Sequence, residues 1–134
     1  MVVIDASAVA EILLDRPVAK LIDPHLTENA MHAPHLLDLE VLNALRRLVA
    51  AGDVTVGRAD AAVSDLLTLP VARYPHAILG HRVWELRHNF TAYDAAYLAL
   101  AEMLTDEGVP LLTTDARFAQ AARTHTDVAV LLAA

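Results

Sequence analysis

Val2-Val3-Ile4-Asp5-Ala6-Ser7-Ala8-Val9-Ala10-Glu11-Ile12-Leu13-Leu14 opens the chain with three β-branched residues, then an acid, then apolar spacing of helical period. The first three read as a short buried strand, and Ser7 can cap a helix that runs to about Leu14. The same order of strand, acid and helix returns in Pro110-Leu111-Leu112-Thr113-Thr114-Asp115, followed by a short helix over Ala116 to Arg123. Working inward, Pro17 suits the first turn of a second helix reaching about Glu28, with Pro24 a point of breakage or kinking. A brief strand near Ala30 to Ala33 ends at Pro34. Helical spacing over His35 to Ala51 stops at Gly52, and another helix occupies roughly Gly57 to Leu69. VARY (Val71–Tyr74) reads as a strand, a helix follows Pro75 to about His88, and Thr91 starts a helix that is apolar nearly all round until Asp106. VAVLL (128–132) supplies a last strand. Strands separated by helices predict a parallel sheet covered on both faces.

Length supports one domain over residues 1–134 with a proper core. Apolar residues make up 56% and charged residues 20%, a surplus of apolar surface that an interface would cover. No run approaches the roughly 18 to 20 residues of a membrane helix. A basic leader with a small-residue cleavage site is also missing, so export is not expected. The absence of cysteine excludes thiol chemistry and suits a reducing cytoplasm. A net charge of −7 argues against a generic nucleic-acid coating protein, which gains affinity by neutralising phosphates. A nuclease is compatible with that balance, since bound divalent ions concentrate positive charge where a phosphate must dock.

Four acids interrupt otherwise apolar stretches: Asp5, Glu40, Asp94 and Asp115. Taking an ionised carboxylate out of water costs several kcal/mol, so a buried one pairs, protonates or holds a cation. Nine Arg and the single Lys20 are too scattered to pair with all four. Ligands of parallel sheets bind beyond the carboxyl ends of the strands, where Asp5 and Asp115 fall directly; Asp94, heading the central helix, reaches the same edge if that helix starts there. Hard oxygen donors converging in one pocket suit Mg²⁺ or Mn²⁺.

Each acid also has a plainer reading. Asp5 and Asp115 fit helix caps, Asp115 with Thr113 and Thr114 sharing the work. Thr91-x-x-Asp94 fits a capping box. Glu40 sits at the border between the apolar arc of Leu37, Val41, Ala44 and Leu48 and the polar edge of Asn43 and Arg47, where an ordinary surface Glu also belongs and Asp38 is a rival. Periodicity does not choose between Glu40 and Asp38. The seven histidines form no HExxH, and no phosphate-binding glycine loop or serine elbow is present. Arg46 and Arg47, and the set His81, Arg82, Arg87 and His88, either touch phosphates or keep helices solvated.

Taken in order, VVIDASAVAEILL, LEVLNALRRL, TAYDAAYLALAE and PLLTTDARFA resemble the PIN-domain ribonucleases, and most closely the VapC-type toxins of bacterial toxin-antitoxin pairs. The resemblance covers nearly the whole chain. It implies an α/β/α sandwich with a central parallel sheet of four or five strands. It implies Asp5, Glu40, Asp94 and Asp115 as catalytic and metal-site positions, favouring Glu40 over Asp38, with Ser7, Asn43 and Thr113 in support. Mg²⁺ or Mn²⁺ is the implied cofactor, RNA the substrate, hydrolysis by metal-activated water the reaction, and a VapB-like antitoxin the restraining partner. A homodimer is the expected assembly. Arg117 stands where some relatives carry a further acid, which leaves a second metal position open. The competing class is a receiver-like or non-catalytic binding domain whose strand-end acids are helix caps; it would want a lysine near a later strand end, and Lys20 comes far too early.

Overall fold

A computed structural model describes residues 1–134. Its elements in chain order are β1 (Val2–Ile4), α1 (Ala6–Leu13), α2 (Ala19–Leu26), β2 (Met31–Pro34), α3 (Leu36–Ala50), α4 (Val56–Thr68), β3 (Val71–Tyr74), a 3₁₀ turn (His76–Leu79), α5 (Gly80–Glu85), α6 (Ala92–Met103), β4 (Leu111–Thr113), α7 (Ala116–His125) and β5 (Val130–Leu132). The five strands pair in parallel in the order β3-β2-β1-β4-β5. The chain thus walks from β1 outward to β3, then returns to the other side of β1. Right-handed crossovers place α1 to α4 on one face and α5 to α7 on the other, in keeping with the packing of α1 on α2, α3 and α4 and of α5 on α6. The reversal between β1 and β4 opens a crevice at their carboxyl ends, the usual seat of a ligand in a doubly wound sheet.

The core explains this arrangement. Val2, Val3 and Ile4 are buried, as are Leu111 and Leu112 beside them, because helices cover both faces of these central strands. Over Ala95–Ala101 every residue of α6 is buried, which is why the sequence shows hardly any polar face there. A 32-residue apolar cluster links these strands to α1, α3, α6 and α7. No helix is long and apolar enough to cross a membrane.

Several boundaries differ from the sequence reading. Asp5, not Ser7, is the N-cap of α1. Pro17 lies in the turn before α2, and α2 continues through Pro24, with Lys20, the residue whose carbonyl loses its donor there, exposed at the surface. The segment after Pro75 splits into the 3₁₀ turn and α5, with the weak helix former Gly80 at the join. α6 ends at Met103 rather than Asp106: Gly108, at φ +79°, turns the chain so that the Val109 N–H bonds the Ala101 carbonyl at 2.8 Å.

Candidate active site at the strand ends

Asp5 leaves β1 only 5% exposed, so its carboxylate must find donors inside the protein. Oδ1 accepts the Ala8 N–H at 3.1 Å and the Ser7 hydroxyl at 2.7 Å, and Oδ2 accepts the Thr113 hydroxyl at 2.5 Å. Ser7 Oγ in turn accepts the Thr114 N–H at 3.1 Å, and Thr113 Oγ1 accepts the Asp115 N–H at 3.0 Å. These bonds lock the β1–α1 junction to the β4–α7 junction, with Ser7 and Thr113 as the bridge. Burial still raises the Asp5 pKa, and the hydrogen bonds only partly offset it.

Asp115 caps α7, its Oδ1 accepting the Arg117 and Phe118 N–H groups at 3.0 and 3.1 Å. Capping therefore holds for both Asp5 and Asp115. Asp94 behaves differently. Thr91 caps α6 by accepting the Asp94 N–H at 3.2 Å, yet the Asp94 carboxylate returns no bond to Thr91 and accepts none from elsewhere in the chain. Its pKa is pushed up to about 6, first by burial and then by the charges of Glu40, Asp115 and Asp5. A carboxylate with three like charges nearby and no donor is half of an ionic site.

Glu40 and Asp38, which periodicity could not separate, have different surroundings. Arg73 on β3 grips Asp38 with three N–H···O bonds of 2.9 to 3.0 Å and donates also to the Leu66 and Val71 carbonyls. Asp38 is thereby spent on holding α3 to the sheet. Glu40 turns to the crevice, where Oε1 accepts the Tyr97 hydroxyl at 2.7 Å across 57 residues of sequence.

Asp5, Glu40, Asp94 and Asp115 line one cleft of about 310 Å³, together with Ser7, Arg47, Tyr97 and Phe118. The set is four carboxylates to one guanidinium, and no ion pair within 4.0 Å joins them. This donor chemistry fits a hard divalent cation, oxygen ligands with uncompensated negative charge. No three acids stand close enough to grip one ion together as they are arranged here. A comparable hollow of about 330 Å³ at the opposite edge of the sheet has its Glu102 clamped by Arg82 at 2.9 Å and receives no strand-end acid.

Comparison with known proteins gives this cleft a setting. A family model for the PIN domain matches residues 2–124. The chain is 45% identical over 121 residues to Ribonuclease VapC1 of Mycobacterium tuberculosis, covering 89% of each. It is 39% identical over 120 residues to Ribonuclease VapC12 of the same organism, covering 90% of this chain and 91% of that one. The chain is a PIN-domain protein of the VapC ribonuclease family. The crystal structure of Mycobacterium tuberculosis VapC20, described as a toxin that cleaves the sarcin-ricin loop, aligns with a TM-score of 0.64 over 90% of this chain and 95% of that one. At 18% identity that likeness bears on the fold, a PIN-type parallel sheet between helical layers.

For a VapC-family chain, one residue of the cleft, Tyr97, was not singled out from sequence, and another, Arg47, was read as either touching phosphates or keeping its helix solvated. Tyr97 looked like one more core residue of α6, and only the fold shows its hydroxyl meeting Glu40. Arg47, read as a residue of the polar edge of α3, lines the cleft wall. Spacing offered a hint for each: Tyr97 stands one turn beyond Asp94, and Arg47 two turns beyond Glu40. Asn43, expected in support of the acids, is exposed and accepts from Arg46 Nε at 3.0 Å instead of entering the cleft. Arg117 is exposed on the first turn of α7 and does not line the cleft either.

Proposed function

We propose that this chain is a divalent-cation-dependent endoribonuclease and the toxin of a toxin-antitoxin pair, restrained in the cytoplasm by a VapB-like antitoxin. The observation that carries the reading is Asp94: a partly buried carboxylate without a single donor, facing three other acids at the switch point of the sheet. Asp5, Asp94 and Asp115 are the residues that would hold Mg²⁺ or Mn²⁺, and Glu40 would complete the set or orient water. A cation bound there supplies Lewis acidity and an activated water for in-line attack on phosphorus. Tyr97 holds Glu40 by donating to Oε1, while Ser7 and Thr113 fix Asp5 at the cleft by donating to its two carboxylate oxygens. The helix-capping alternative accounts for Asp5 and Asp115, and the Tyr97 hydroxyl gives Glu40 a structural partner, but Asp94 is left with no task.

The same charge pattern supports restraint by a partner. An arginine from an antitoxin can form paired hydrogen bonds with these carboxylates and compete with the cation. Purified protein, freed of any partner, should cleave RNA with Mg²⁺ or Mn²⁺ present, and EDTA or Asp94→Asn should abolish cleavage without loss of the fold by circular dichroism. Full activity of Asp94→Asn would count decisively against the scheme.

A further inference from the structure

The acid cleft continues beyond its carboxylates. Ser7, Ala10, Ala44 and Arg47 line it and also line a second hollow of about 220 Å³ between α1 and α3. Two alanines in that shared wall leave room between helices that otherwise pack against each other. Along this path the charge changes sign. The first hollow carries four carboxylates and one guanidinium, whereas the second has Glu11 against Arg16 and Arg47. The Arg16–Glu11 pair is loose, at 4.0 Å.

Arg47 stands at the junction, seven residues or about two turns after Glu40 on the same side of α3. Its side chain makes no ion pair although four acids share its cleft. Other arginines are engaged: Arg73 with Asp38, Arg82 with Glu102, Arg46 with Asn43, and Arg87 and Arg123 with carbonyls. Arg58 and Arg117 are exposed and line neither hollow. Among the unengaged arginines, Arg47 alone faces the site.

A polyanion approaching four carboxylates needs more than charge relief at one phosphate. Phosphates next to the scissile one must also be met by cations, and a guanidinium does this with two parallel hydrogen bonds. We propose that the channel between α1 and α3, entered at Arg47 and flanked by Arg16, seats the ribose-phosphate backbone adjoining the scissile phosphate. Thr114, a residue that carries a hydroxyl, also lines this channel. This assignment rests on the ribonuclease reading above.

The test uses the full chain carrying Asp94→Asn, so that RNA binds without being cut. Anisotropy of a labelled single-stranded RNA of mixed sequence is followed over a range of KCl with Mg²⁺ present. Arg47→Ala and Arg16→Ala should each weaken binding several-fold and flatten the plot of log K against log salt by about 0.7 for each phosphate no longer neutralised. Arg47→Lys should recover the slope with part of the affinity, and Arg58→Ala should match its parent. In the cleaving protein, the defect from Arg47→Ala should fall on KM more than on kcat. Unchanged affinity and slope in both alanine variants would overturn the proposal and leave the channel to a protein partner. Failure of the unsubstituted protein to cleave RNA would instead strike the ribonuclease reading, because the binding arm does not depend on cleavage.

Discussion

At the scale of single residues, one side chain can serve as both cap and ligand, and substitutions can separate the two roles. Asparagine caps a helix about as well as aspartate but lacks the charge. Asp115→Asn should therefore keep the thermal stability of the protein and lose RNA cleavage, while Asp115→Ala should lose cleavage and also about 1 kcal/mol of stability. Thermal unfolding beside an RNA cleavage assay reads both. Asp94 gives a pH signature. Its folded pKa of about 6 lies above its ordinary value of 3.8, so between those values the folded state holds more protons than the unfolded one. The contribution of Asp94 to stability is therefore greatest below pH 3.8 and falls as pH rises through 6. Without metal, Asp94→Asn should be more stable than the parent at pH 7, by on the order of 1 kcal/mol once solvent access to the carboxylate is allowed for, and the gain should vanish near pH 4. Equal stability of the two proteins at pH 7 in EDTA would contradict the crowding of charge. The acids were legible in the sequence because each interrupts an apolar run. The choice of Glu40 over Asp38 came from the family resemblance and not from spacing, because a helical period reports which side a residue faces and not that Arg73, 35 residues away, is waiting for Asp38.

At the scale of elements, the site is the meeting of two helix starts with two strand ends. α3 and α6 both run antiparallel to the sheet and so begin at its carboxyl edge, from opposite faces. His76 assists α3 by accepting the Leu36 N–H on Nε2 at 2.9 Å, a cap supplied from the 3₁₀ turn. Tyr97 then ties α6 to α3 through Glu40. Burial first, and the nearby Glu40 charge second, raise the Tyr97 pKa, so the phenol keeps its proton and remains a donor over the working pH range. Tyr97→Phe should cost about 1 to 2 kcal/mol of stability and lower cleavage about tenfold by leaving Glu40 unheld, with secondary structure retained. Strand positions were readable because buried parallel strands are short apolar runs bounded by turns. Element ends were less so: the cap of α1 depended on Asp5 turning inward rather than on Ser7. The helix expected after Pro75 broke at Gly80, a weak helix former, although Leu79, Val83 and Leu86 carry an apolar stripe across the join.

At the scale of the molecule, the strand order gathers acids from positions 5 to 115 into one crevice while the net charge stays at −7. The order itself could not be read from spacing, because parallel strands joined by helices are compatible with several arrangements; the reversal between β1 and β4 is a property of the packed whole. The apolar surplus in the composition reaches the surface as exposed Leu39, Val56, Leu67, Ile78, Trp84 and Tyr93. We propose that a second copy covers part of this surface. Sedimentation should show a dimer at micromolar concentration, and a monomer at every concentration would defeat that assembly.

The proposed chemistry centres on a cation held among the four acids, and anomalous scattering from crystals grown with Mn²⁺ tests for it most directly. The result expected is a peak in the cleft within bonding distance of Asp94 and at least one of Asp5 and Asp115, abolished in Asp94→Asn. Fully loaded crystals with no peak there, or with manganese only elsewhere on the surface, would contradict it.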